Sequence, residues 1–254
     1  MTISPRRSRV VILVKALPQP SKKYGETVCC AGVTAERQWK RLFPVRFRHL
    51  KGESSFSRWH WVSFNYGPPK SDTREESCHV HEESITIEGE LRETERVRLL
   101  NPMLVGSAKA AAEKGHSLAL IRPRNTRFLW KEKTRAELVE EREVYRFAAR
   151  QTDLFDDEEL AELEPTPYSF SFKFEDESGR HHYHNGDWEA HAMFWRKSQE
   201  ASVTEALRWM DSVFNETYPK KGMAFALGNM AKRPQTWQLL GVIRLNDAVQ
   251  GELF

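Results

Sequence analysis

The sequence predicts a mixed α+β protein, and three observations carry that reading. Short apolar runs punctuated by Gly and Pro occupy the first hundred residues, a capped helical pattern stands near the middle, and an aromatic run with strict period-two alternation begins at Tyr168. A chain of 254 residues is long enough for one large domain or two modest ones, with a core of its own. Eight Trp and fourteen Phe supply the large apolar surfaces such a core needs.

Taken in order, Val10-Val-Ile-Leu-Val14 reads as a buried strand, and Pro18-Gln-Pro20 with Gly25 break the chain after it. Thr27 to Val33 is read as a second strand, Trp39 to Val45 as a third ending near Pro44, and Trp59 to Phe64 as a fourth closed by Gly67-Pro-Pro69. Ser84 to Ile87 is a fifth. Several short strands with turns between them imply a small barrel or a strongly bent sheet, so residues 1–105 are expected to form a basic, β-rich, barrel-like subdomain of PUA-like or OB-like pattern.

Residues 106–150 read as a helical connector. Gly106 to Lys114 is Ala-rich and stops at Gly115; Ser117 to Ile121 and Arg127 to Trp130 are strand-like. Thr134 to Ala149 is the clearest helix, because Thr134 and Glu137 have capping-box spacing. Residues 151–167 are expected to be an acidic linker, with Asp153 to Glu164 as its charged run and Pro165 and Pro167 at its end.

The remaining part, 168–254, is expected to be a C-terminal α/β subdomain with a β-hairpin and two helices. Tyr168, Phe170, Phe172 and Phe174 fall on one face of a strand. Asp176 to Arg180, with Gly179, is a hairpin turn signal, and His181 to His184 is the returning strand. Asp187 caps a helix through Trp188, His191, Phe194 and Trp195. Val203 to Thr217 is a second helix, with Leu207, Met210 and Phe214 on one side. Met223 to Leu227 and Trp237 to Leu245 read as strands joined by a turn at Gly228-Asn229.

Composition narrows the function. No run approaches the roughly 18–20 apolar residues that cross a membrane, and the basic start, Met1 to Arg9, lacks the long apolar region of a secretory signal. The expected location is cytoplasmic, with no membrane partner. Three cysteines, two of them adjacent, make a poor disulfide framework. Cys29 and Cys30 would point to opposite faces of a strand, with at least one in the core. Cys78-His-Val-His81 has zinc-like ligand spacing but no second pair, so the cofactor is unknown and zinc or another divalent metal is not favoured. The phosphate-cradling, dinucleotide-binding, zinc-protease, hydrolase-elbow and zinc-deaminase signatures are all absent from the sequence.

The charge is uneven. Residues 1–60 hold thirteen Lys or Arg against Glu26, Glu36 and Glu53, a net of +10; the whole chain is +3, which leaves −7 for the rest. Within that basic end, Lys22-Lys23-Tyr24, Trp39-Lys40-Arg41 and Arg46-Phe47-Arg48-His49 interleave cations with aromatic rings. Phosphates attract the cations, and exposed bases stack on flat rings. Lys22, Lys23, Trp39, Lys40, Arg41, Arg46 and Arg48 are therefore the candidate nucleic-acid contacts, with DNA or RNA as the partner. The competing reading places Trp39 and Phe43 in the core.

A second candidate is the run His181-His-Tyr-His-Asn-Gly-Asp-Trp-Glu-Ala-His191. Strand periodicity pairs His182 with His184, and Asp187 and Glu189 follow closely. His182, Asp187 and Glu189 are the candidate acid/base residues. The competing reading is an exposed polar strand followed by a helix that Asp187 caps.

The stretch Lys15 to Leu50, with Pro18-Gln-Pro20, Tyr24-Gly-Glu-Thr-Val-Cys-Cys-Ala-Gly32 and Trp39-Lys-Arg-Leu-Phe-Pro44, resembles an uncharacterised group of bacterial proteins. Asp187-Trp-Glu189 and Gly228-Asn229 through Trp237 to Gly241 are similar to the same group. The resemblance implies a setting in DNA-modification or phage-defence gene neighbourhoods and transfers no catalytic residue. The leading expectation is thus nucleic-acid binding in such a system. An enzyme acting on a nucleobase or nucleotide through residues 176–191 is the alternative. A non-catalytic assembly subunit, binding protein partners of the same system through its acidic segment, is the third.

Overall fold

The computed structural model describes residues 6–17, 19–21, 25–27, 29–45, 50, 55–69, 72–150 and 164–247. The fold is mixed α+β and divides into two compact units. One comprises 1–90 with 132–168, the other 91–131 with 169–254. The stretch expected to be a connector, 106–150, is therefore split between the units, and the body of the acidic segment lies outside the described residues.

In the first unit the strands are β1 (Arg6–Lys15), β2 (Gln19–Ser21), β3 (Gly25–Thr27), β4 (Cys30–Val33), β5 (Trp39–Phe43), β6 (His60–Gly67) and β7 (Ser77–Glu90). Among the described residues β2 and β3 pair with each other, and the strand expected over 27–33 falls on the end of β3 and on β4. Five strands pair in the cyclic order β1-β4-β5-β7-β6, and β6 returns to β1, closing the sheet on itself. All these pairings are antiparallel except β5 with β7. β7 is far longer than the expected fifth strand, and register shifts against β6 bend it.

The interior follows the period of two. Val10 and Ile12, Val62 and Phe64, and Cys78 and Val80 enter one buried cluster, joined by Cys30, Leu42 and Ile85 and capped by Val45 and Phe56. Each such side chain, fully removed from water, contributes about 1.5–3 kcal/mol. Gly32 is required where β4 meets β1: a Cβ there would lie 2.6 Å from the Val11 carbonyl oxygen. The unit also holds the helix that the capping box foretells. After α1 and α2 of the second unit (ranges below), α3 (Arg135–Arg150) begins behind Thr134, whose amide donates to Glu137 while its Oγ1 accepts from the Glu137 amide.

The second unit contains α1 (Glu93–Leu100), β8 (Leu104–Val105), α2 (Ala108–Glu113), β9 (Leu118–Ile121) and most of β10 (Arg124–Glu132). It continues with β11 (Tyr168–Asp176), β12 (Gly179–His184), α4 (Trp188–Glu200), α5 (Val203–Ser212), α6 (Tyr218–Lys220), β13 (Met223–Met230) and β14 (Arg233–Arg244). Its sheets run β10-β11-β12 and β14-β13-β9-β8. The alternating run behaves as its period requires: Phe170, Phe172 and Phe174 are buried. They form an aromatic core with Phe128, Phe214 and Phe225, in which Phe128 lies 5.2 Å from Phe172 and 4.9 Å from Phe214 between ring centroids.

Two expectations change here. Gly228 and Asn229 lie within β13, and the chain turns two residues later, at Ala231-Lys232. The helix expected over 203–217 keeps α-geometry only to Ser212. Residues Val213–Thr217 widen into a π-turn, which Asn215 fixes by accepting from the Phe128 amide (2.7 Å) and donating to Asp211. Among the described residues, no helix is long and apolar enough to cross a membrane.

Candidate nucleic-acid interface

β1 enters the closed sheet with three arginines before its apolar core positions. Arg7 lies opposite Asn65 and Arg9 opposite Ser63 across the β1–β6 pair. Being two apart, both point away from the interior that Val10 and Ile12 fill. The Arg9 guanidinium sits over the Trp61 ring at 4.2 Å from the centroid, a diagonal cross-strand cation–π contact. Glu88 of β7 lies beside them: its carboxylate accepts from Arg9 Nε at 2.6 Å, from Arg7 at 3.5 Å, and from Ser63 Oγ. The Ser63 bond above all holds the Glu88 carboxyl below its ordinary value; burial opposes it, and Arg9 and Arg7 add to the lowering. One carboxylate thus serves two arginines. Arg7 remains 70% exposed and Arg6 is exposed as well, so the strand end keeps a net positive charge beside an aromatic face.

The residues singled out from sequence fall differently. Lys22, Lys23, Arg46 and Arg48 lie outside the described residues. Trp39 and Lys40 are half-buried, and Lys40 Nζ lies 6.0 Å from the Tyr66 ring centroid. Arg41 is only 3% exposed. Its amide donates to the Glu76 carbonyl, its guanidinium meets Cys29 Sγ, and burial pulls its pKa down. Strand alternation sends Leu42 into the interior and Arg41 to the other side, where chain rather than solvent covers it. Arg41 therefore does not present a cation at the surface. Phe43, which the competing reading made core, is 40% exposed.

The same alternation separates the residues that have zinc-like spacing. Cys78 points into the hydrophobic interior, where burial raises its thiol to about 11, while His79 lies on the opposite side of the strand. Among the described residues, no group of three or more His, Cys, Asp or Glu could hold a metal.

The second candidate separates as well. His182 is exposed on β12 and reaches Ser171 Oγ at 3.0 Å, with the His184 ring 6.5 Å away. Asp187 is buried, and both its oxygens accept backbone hydrogens: Oδ1 from Glu189 (3.1 Å) and Oδ2 from Val242 (2.9 Å). It caps α4 and pins that helix to β14. Glu189 is half-buried in the first turn. The structure does not bring His182, Asp187 and Glu189 to one pocket.

Sequence reasoning passed over a tighter cluster at the hairpin turn. Asp176 Oδ1 accepts from the Ser178 amide and hydroxyl, both at 2.7 Å, and lies 2.8 Å from His181 Nε2. Ser178 Oγ is also 3.3 Å from that same Nε2. A nucleophilic relay needs one ring nitrogen on the carboxylate and the other on the hydroxyl. Here a single nitrogen meets both, so the cluster locks the turn. Burial works against ionisation of Asp176, yet Ser178 and His181 outweigh it and hold its carboxyl below the ordinary value. Arg7, Arg9 and Trp61 were also missed, although Arg6-Arg7-Ser8-Arg9 ahead of an apolar strand was a legible signal for cations on one outward face.

Comparison with known families gives a two-part result. Residues 6–102 match a domain of unknown function, DUF8758, and residues 103–254 match a second, DUF8757. The second match covers more than half of the chain, so the protein belongs to the DUF8757 family. No curated protein matches.

Proposed function

We propose that this protein binds nucleic acid through the outer face of its N-terminal five-stranded sheet, and that the sheet is a small barrel of the kind found in PUA-like and OB-like binders. The Arg9–Trp61 stack carries the proposal: it presents a guanidinium plane and an aromatic ring together, flanked by Arg6 and Arg7. Cations track phosphates, and a flat cation–ring pair offers a base a stacking surface. The +10 balance of residues 1–60 supports the reading, as does the resemblance of residues 15–50 to a bacterial group from DNA-modification and defence neighbourhoods. His182, Asp187 and Glu189 do not support acid/base chemistry at a common point: Asp187 is buried with both oxygens on backbone amides, while His182 is exposed on β12.

The test is fluorescence anisotropy with labelled single-stranded and duplex DNA and RNA across a salt series. Removing three phosphate-directed cations in Arg6→Gln/Arg7→Gln/Arg9→Gln should weaken binding and flatten the slope of log K against log salt by up to roughly 2–3 units. An unaltered slope with the fold intact would sink the proposal.

A further inference from the structure

From the second unit alone, we infer a separate nucleotide site: an open groove between α4, the π-turn after α5 and β14, which takes one nucleotide by stacking its base and holding its phosphate. The groove has a volume of about 430 Å³, inside the range of about 300–1,000 Å³ typical of small-molecule sites. Its wall carries Arg196, Lys197 and Arg244 with Trp209 and Tyr218, and among the described residues Glu200 is its one lining carboxylate.

Each part has a physical reason to be there. α5 is amphipathic: Ala206, Leu207 and Met210 are buried, while Trp209 is 39% exposed. A large indole left in water on a helix with an adequate core face is surface available for contact. Lys197 Nζ lies 5.5 Å from the Trp209 ring centroid and is held by Glu200 at 2.9 Å, which sets the polarity at that end. The Lys197 bond, with Arg196 adding to it, holds the Glu200 carboxyl below its ordinary value. At the other end, the Arg244 guanidinium carbon lies 6.0 Å from the Tyr218 ring centroid. Among the described residues three cations face one carboxylate, which makes this lining positive, and Arg196 and Arg244 carry the charge that Glu200 does not neutralise.

The π-turn shapes the opening. Its extra backbone width lets Val213, Thr217 and Tyr218 all line the groove, and Asn215 anchors the turn to β10 on the inner side. Single π-turns interrupting helices recur at binding sites, because they cost hydrogen-bond geometry that a plain helix would keep. A flat ring and two guanidinium groups on one concave wall match a ligand with both an aromatic base and a phosphate. Either a free mononucleotide or one unit of a single strand has that chemistry.

The experiment titrates the full chain with adenosine 5′-monophosphate, with short oligothymidylate and with inorganic phosphate, following tryptophan fluorescence and calorimetric heat. Adenosine 5′-monophosphate or the oligonucleotide should bind more tightly than phosphate. Trp209→Leu should weaken that binding about tenfold and remove most of the fluorescence change. Arg196→Gln/Arg244→Gln should weaken it by a similar factor without altering unfolding by denaturant. Preference for the mononucleotide would identify a small-molecule source, and preference for the oligonucleotide a single strand. Binding indistinguishable from that of phosphate would overturn the inference, as would nucleotide binding indifferent to both variants or no binding of any probe. Repeated in the Arg6, Arg7 and Arg9 triple-variant background, the titrations should still lose about tenfold in affinity on Trp209→Leu, so the two sites can fail independently.

Discussion

At the residue scale, Asp187 shows why its type was legible and its role was not. A capping aspartate can be read from its place before an apolar helix, but the Val242 amide that takes its second oxygen arrives from 55 positions away. That second bond changes what a conservative substitution does. Asparagine caps an exposed helix almost as well as aspartate. Here it brings one acceptor and one donor to two backbone donors, one buried and one half-buried, leaving an N–H facing an NH₂. Asp187→Asn should therefore lower stability by about 1–3 kcal/mol in urea unfolding, and an unchanged midpoint would contradict the double bond. Gly32→Ala drives a methyl against the Val11 carbonyl and should destabilise by about 1–3 kcal/mol in the same assay. Thiol reactivity gives a third check. Cys30 and Cys78 are buried and their pKa values raised, so a native protein should react first at half-buried Cys29.

At the scale of elements, periodicity told most where one face alone meets a core. The run Tyr168–Phe174 and the Thr134 capping box are local patterns, and both emerge as read. β7 was read as four residues because its first half carries Cys78, His79 and His81, a string whose polar members looked like ligands. In the strand Cys78 and Val80 turn to the interior, while His79 and His81 share the opposite side. α1 was missed altogether: half of Glu93 to Leu100 is charged, Arg92 makes no side-chain capping bond, and only Leu100 is buried. Just ahead of β7, Asp72 offers a pH test of how its start is held. Burial opposes its charge, but bonds from Arg74 and Ser77 prevail and bring its pKa to about 2. A folded pKa below the ordinary 3.8 stabilises the fold above about pH 4, and that contribution fades as pH falls toward 2. After solvent screening its size is about 1 kcal/mol. Asp72→Asn should remove that much of the acid limb in a pH series of thermal unfolding, while the same limb persisting undiminished would exclude Asp72 as its source.

At the scale of the molecule, charge asymmetry was visible from sequence, whereas its distribution over faces was not. A count of lysines and arginines treats Arg41 and Arg7 alike, yet one is buried and the other stands in solvent. Only pairing across the closed sheet distinguishes them. The salt-dependent binding proposed for Arg6, Arg7 and Arg9 belongs to this scale, because it reads the summed field of a face rather than any one bond.

The way the chain threads its two units also bears on descent. A cut at residue 102, where one family match ends and the other begins, leaves α1 with the N-terminal piece and α3 with the C-terminal piece, each apart from the unit it completes. Gene rearrangement at that seam would hand each product a fragment of the other's fold. The two matched segments, produced as separate polypeptides, should therefore each be less stable than the whole chain, and a separately made 103–254 piece that unfolds at the same urea midpoint as the intact protein would contradict this.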